Sequence, residues 1–219
     1  MHAGAEIAAR PTGSVRVPLG GTRIGDAERT RWKRRRGARM NDRPSTYDAV
    51  PERWDDITAD WLTNALQRHH PGARIAAVRI VDRDDGTNRR VRLELSYAAG
   101  HGPATLFLKA NDPAHRSVHL RNGNLFNEAQ LFSSDMPLAV DHPVVYKSIV
   151  DRAGGNFLLV MEDLVARNAD PRDATRPMTS EQVAKGLRGL ARLHSRYWGV
   201  SDQSHPALSW VQTWAPSDG

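Results

Sequence analysis

The chain has 219 residues, of which 39% are hydrophobic and 26% are charged, a balance typical of an ordinary globular domain. It contains no cysteine, which excludes disulfide bonds and thiolate metal sites. No apolar run approaches the roughly 18 residues that cross a bilayer, and no signal-peptide core is found, so we expect a cytoplasmic protein with no membrane partner.

The positive charge is concentrated near the N-terminus. Residues 1–39 hold ten Lys or Arg against three acids, a net of +7, so residues 40–219 carry about −1 of the total of +6. A segment so basic and so poor in large apolar side chains cannot offset its ordering entropy, and residues 1–45 are predicted to be a basic disordered tail. Three interpretations stay open: the tail binds nucleic acid or anionic lipid, it is solvated without a partner, or translation starts at Met40. A nucleic-acid partner is the least favoured of these.

The first predicted elements are a helix and three strands. Thr58 is a good N-cap for a helix over 59–68, and Ile57 with Leu62 matches a hydrophobic staple. Three strands with short connections follow, over 75–81, 91–97 and 104–109. The polar residues 82–88 are predicted to be a loop. These strands suggest an antiparallel meander with one face packed on helices.

Two strands and two helices are predicted in the second half of the chain. The helices lie over 127–133 and 179–198, and the strands over 144–150 and 157–161. Thr179 and Gln182 form a capping box, and Gly199 ends the last helix. One stripe of that helix is mostly apolar: Val183, Leu187, Leu190, Ala191, His194 and Trp198. His194 is expected to be packed rather than catalytic, and the stripe, with little chain left to cover it, favours self-association.

Several short motifs, in order, resemble the phosphotransferase enzyme family, which groups aminoglycoside phosphotransferases, choline-type kinases and ecdysteroid-kinase-like proteins. The motifs span roughly residues 55–200 and are Asp85–Asn88, Leu108–Lys109, Asn127–Glu128, Leu159–Leu164 and Leu190–Trp198. The resemblance implies an α+β, protein-kinase-like small lobe, an antiparallel sheet plus a helix, over 46–163. Residues 164–219 would then begin the helical large lobe.

Two residues are assigned to the phosphates of ATP by this resemblance. Lys109 would contact the α- and β-phosphates, and Glu128, nineteen residues later, would hold the lysine by an ion pair. An ammonium group supplies a point charge where negative charge accumulates. Alternatively, Lys109 is a strand-end lysine that reaches solvent and Glu128 is an ordinary surface residue of its helix.

The other nucleotide contacts are assigned to a loop and a hinge strand, whose backbone would meet adenine. The loop has one glycine where a protein-kinase loop has three, and Asp84 and Asp85 would repel a phosphate. A plain Asp-Gly β-hairpin is the alternative for the loop, and a capping role is the alternative for Asp163. The residues assigned are Gly86, Thr87, Asn88, Met161, Glu162, Asp163 and Leu164.

The catalytic half of a kinase is not recognisable in the sequence. No H-x-D motif occurs, and the only aspartates after Trp198 are Asp202 and Asp218, so no catalytic or metal-binding residue is assigned. We therefore expect the N-terminal portion of an enzyme that uses ATP and Mg²⁺ to phosphorylate a small-molecule hydroxyl, inactive and truncated as given. The alternatives are a non-catalytic nucleotide-binding or scaffolding remnant and a nucleic-acid-associated module that uses the basic tail.

Overall fold

Five antiparallel strands form one sheet in the part of the chain that the structure describes. The computed structural model describes residues 46–134, 136–170, 175–201 and 203–211, so the predictions for the basic tail and for Met40 lie outside it. The strands run in the order β1-β2-β3-β5-β4. Their bounds are β1 Arg74–Asp85, β2 Asn88–Ala99, β3 Thr105–Asn111, β4 Val145–Asp151 and β5 Asn156–Glu162. Together with the helices this is an α+β fold, and no helix among these residues is long and apolar enough to cross a membrane.

The first hairpin is longer than the sequence predicted. Strand β1 continues to Asp85 and β2 begins at Asn88, so the loop expected over 82–88 is wrong for most of its length. Opposite charges face each other across the two strands, at Asp84 and Arg90 and at Arg79 and Glu94. Such cross-strand pairs stabilise an exposed part of the sheet whose sequence lacks the apolar alternation that predicts a strand.

The main core lies between one face of the sheet and helix α1, Ala59–Leu66. The predicted cap is confirmed, because the Thr58 hydroxyl accepts a hydrogen bond from the Trp61 amide at 3.2 Å. Both members of the predicted staple are buried, Ile57 and Leu62. The alternating apolar residues of β2 and β3 point into the same core: Val91, Leu93, Leu95, Leu106, Leu108 and Ala110.

One short helix packs on the opposite face, and a second short helix precedes it in the chain. Helix α3, Asn127–Ser133, has the bounds that the sequence predicted, and its Ala129 belongs to a second apolar cluster with Leu159 and Met161 of β5. Helix α2, Arg116–Arg121, was not predicted, because it is short and presents no buried residue.

Helix α4, Ser180–Arg196, begins with the predicted capping box and leaves its apolar stripe exposed. The Thr179 hydroxyl accepts from the Gln182 amide, and the Gln182 side chain accepts from the Thr179 amide. Trp198, just beyond the helix, is 85% exposed. His194 is exposed as well, so the expected packing of this residue is wrong in the described structure.

Two glycines with positive φ meet where the chain enters β1 and leaves β2, and they give a test of the fold. A Cβ on Gly100 (φ +64°) would lie 2.7 Å from the Gly72 carbonyl oxygen, whereas a Cβ on Gly72 (φ +85°) would meet nothing within 4 Å. We expect Gly72→Ala to lower the free energy of unfolding by about 1–2 kcal/mol through backbone strain alone. Gly100→Ala should cost about 1–3 kcal/mol more because of the clash. Urea unfolding of both variants checks this, and equal losses would contradict the close approach.

Candidate functional site

The structure joins Lys109 and Glu128, the two residues assigned to phosphate binding. The Lys109 ammonium donates a hydrogen bond to Glu128 Oε2, and the lysine side chain is 23% exposed. β3 does not end at Lys109 as predicted but continues to Asn111. The lysine is therefore fixed by ladder pairing on both sides, with Arg90 of β2 and Leu159 of β5.

The pleat of β3 decides which face Lys109 occupies. Its neighbours Leu108 and Ala110 are fully buried in the main core, and successive side chains of a strand point to opposite faces. Lys109 therefore lies on the face of α3. Phe107, two residues earlier, packs against the second apolar cluster on that face.

Glu128 is placed by the packing of α3. The next residue, Ala129, is fully buried, and its carbonyl oxygen accepts a hydrogen bond from the Ser148 hydroxyl of β4 at 2.7 Å. Glu128 lies in the first turn of the helix, where the helix dipole favours a carboxylate. The glutamate is thus held beside the lysine by contacts made through its neighbours.

The predicted phosphate loop is a tight β-hairpin. Asp85 pairs with Arg89, which leaves only Gly86, Thr87 and Asn88 between them. The backbone of this segment therefore forms the Asp-Gly β-hairpin that was the alternative to a phosphate-binding loop. Asn88 pairs with Asn111, two residues beyond Lys109, so the hairpin lies about 7 Å from the lysine along the sheet. His119 of the unpredicted α2 approaches the hairpin, with its Nε2 3.3 Å from the Thr87 carbonyl oxygen.

One arginine of the hairpin faces the main core and anchors the turn there. The Arg89 guanidinium lies 5.2 Å from the centre of the Trp54 ring and donates hydrogen bonds to the carbonyl oxygens of Glu52 and Asn111. Burial lowers the pKa of Arg89, but an arginine stays charged at neutral pH all the same. Arg89 therefore holds the hairpin from the side opposite to Lys109.

At the predicted hinge, the end of β5 is bonded to the chain that leads into β4. The Glu162 amide donates to the Val144 carbonyl at 2.8 Å, and the Glu162 carboxylate accepts from the Val144 amide at 3.1 Å. Met161 is buried in the sheet, and Leu164 begins a 3-10 turn that runs to Arg167. The Glu162 amide thus has a partner within the protein at the position where adenine contacts were assigned.

Asp163 is buried, and the structure gives it two roles. Its Oδ1 accepts from the Val165 amide at 3.1 Å, which confirms the capping alternative. Its Oδ2 lies 3.0 Å from Arg92 Nε in an ion pair whose angle is not that of a hydrogen bond. Arg92 also lies 3.5 Å from Asp82 of β1. Sequence reasoning missed the contact with Arg92 because the two residues are 71 positions apart and no local pattern joins them.

These contacts create a charged surface on the side of the sheet that carries α3. Arg90, Arg92 and Lys109 lie on it, and each has a carboxylate partner. Within the described ranges no group of three or more His, Asp or Glu side chains is arranged to hold a metal ion. The described residues therefore offer no fitted Mg²⁺ site. Comparison of the chain with protein-family models, curated proteins and solved structures found no match.

The buried Asp163 gives a test of how the hinge is held. Removing its carboxylate by Asp163→Ala leaves Arg92 without its close partner and uncaps the 3-10 turn, so we expect a loss of about 2–4 kcal/mol in unfolding free energy. Asp82→Ala, at the exposed partner of the same arginine, should change it by less than about 0.5 kcal/mol. Urea unfolding at neutral pH measures both, and similar small losses would show that Asp163 does not anchor the hinge.

Proposed function

We propose that this domain binds ATP, as the small lobe of a phosphotransferase that acts on a small-molecule hydroxyl does. The observation that carries the proposal is the ion pair between Lys109 and Glu128. The proposal is confined to nucleotide binding, and no residue is assigned a catalytic role.

The ion pair has little value for stability, which supports a role in binding. Lys109 and Glu128 are both partly exposed, and pairs of this kind contribute about 0–1 kcal/mol. In exchange, the pair holds one ammonium group in a fixed position on a sheet face that already carries two arginines. A preorganised cation of this kind can neutralise adjacent phosphates without first losing side-chain entropy.

The order of the elements also supports the proposal. A lysine on the third strand, a glutamate on a helix between the third and fourth strands, and a fifth strand that pairs directly with the third are the parts on which a kinase small lobe is built. An antiparallel sheet by itself supports many functions, so the argument depends on the residues and not on the architecture.

The proposal predicts that removing the Lys109 ammonium lowers the affinity for ATP much more than it lowers the stability of the fold. Lys109→Met should weaken ATP binding by about 10- to 100-fold, because one charge-assisted contact of about 1.5–3 kcal/mol is lost, while the urea midpoint changes little. Isothermal titration calorimetry with ATP, with and without Mg²⁺, measures the affinity.

Lys147→Met is the matched control for this experiment. Lys147 is also a partly buried strand lysine, but it faces the main core side, where its ammonium lies 3.2 Å from Asp48 and 6.0 Å from the centre of the Trp61 ring. We expect this variant to bind ATP like the wild type. Equal affinity of the two lysine variants, or no ATP binding by the wild type, would refute the proposal.

A further inference from the structure

Arg90 lies directly opposite Lys109 in the register of β2 and β3. Its neighbour Val91 is buried in the main core, so Arg90 points to the same face as Lys109. Side chains directly opposite each other in an antiparallel pair have Cβ atoms about 5 Å apart, and like charges at this spacing oppose pairing. The strand register thus brings two cations together at a cost.

Each of the two cations has its acid on the outer side. Arg90 Nη1 lies 2.7 Å from Asp84 Oδ2 on β1, and Lys109 contacts Glu128 on α3. Across the sheet the charges therefore run acid, base, base, acid. The strands that carry the two bases are paired at these residues and lie about 5 Å apart, so a polyphosphate that spans two strands can reach both side chains.

The Arg90 guanidinium also reaches the hairpin. A Cβ placed on Gly86 would lie 3.2 Å from Arg90 Nη2, so the guanidinium packs against the turn at this residue. The Arg90 side chain is 36% exposed and its partner Asp84 is 62% exposed. Because an ion pair exposed to this degree contributes little, Arg90 can exchange the carboxylate for another anion at small cost.

We infer that Arg90 and Lys109 together form a polyphosphate site, in which Arg90 binds a phosphate next to the one that Lys109 contacts. The planar guanidinium can donate two parallel hydrogen bonds to one phosphate, which the lysine cannot do. Asp84 competes with the phosphate for Arg90 and limits the affinity of the site. This inference rests on the proposed function and adds a second binding residue, at a position to which no role had been assigned.

Titration calorimetry with inorganic tripolyphosphate and with ATP tests the inference. Arg90→Ala should weaken tripolyphosphate binding at least tenfold, and Asp84→Asn should strengthen it several-fold by releasing Arg90. The matched controls are Arg83→Ala and Asp85→Asn. These residues form an ion pair of 2.8 Å in the same hairpin, but at positions paired with the core-side residues Val91 and Arg89. Both controls repeat the charge changes and should stay within twofold of the wild type.

The outcomes separate this inference from the proposed function. If Arg90→Ala and Arg83→Ala bind tripolyphosphate alike while Lys109→Met loses ATP, the Arg90 site is refuted and the proposed function stands. If the Arg90 and Asp84 effects on tripolyphosphate appear but ATP does not bind, the proposed function fails and the anion site stands. Binding of neither probe by the wild type overturns both. Should Arg90→Ala fail to fold, the tripolyphosphate affinities of Asp84→Asn and Asp85→Asn test the site instead. Stronger binding by Asp84→Asn alone supports it, and equal affinities refute it.

Discussion

The pleat of strand β3 places its apolar core residues on one face of the sheet and the lysine of the candidate site on the other. Leu106, Leu108 and Ala110 are fully buried against α1, and the residues between them, Phe107 and Lys109, face the other way. A shift of one residue in the pairing of this strand would move Lys109 into the core and expose the leucines, which would be unfavourable on both faces. The burial of three small and medium-sized apolar side chains therefore fixes the position of the one ammonium group on which the candidate site depends.

Glu128, the other member of the ion pair, lies on a helix with fewer stabilising contacts. Helix α3 has seven residues, and an isolated helix of this length is not stable in water. It is held by the buried Ala129, by Leu125 before it, and by the bond from Ser148. The carboxylate of Glu128 is therefore positioned by a small apolar cluster separate from the main core, and changes in that cluster can alter the site while the main core stays intact.

The sequence predicted those parts of the fold that have local signals. Thr58 and Thr179 marked helix starts through their side-chain caps, and the alternation of Val91, Leu93 and Leu95 marked a half-buried strand. The extension of β1 was missed because residues 82–85 are all charged and are paired along their length with residues of β2. Local patterns cannot reveal such a partnership, since it exists only once the two strands are aligned.

The contacts of the candidate site also differ in whether the sequence contained a signal for them. The pairing of Lys109 with Glu128 was expected from a resemblance in the order of motifs, because spacing alone does not bring a strand and a helix together. The contact between Asp163 and Arg92 had no signal of either kind. For His194 the sequence pattern was misleading. Its place on an apolar helical stripe predicted burial, but such a stripe is buried only if another surface packs against it, and His194 is exposed.

Helix α4 has a consequence for how the molecule opens in solution. Of its seventeen residues only Gly189 is buried, against Val140, and near its end the Tyr197 hydroxyl donates to the Pro137 carbonyl at 2.7 Å. Gly186 and Gly189 each weaken the helix by about 1 kcal/mol relative to alanine, so its capping box and these few contacts supply much of what holds it. The backbone amides of α4 should then exchange with solvent through a local opening that leaves the sheet folded, while those of β3 exchange only when the whole domain unfolds.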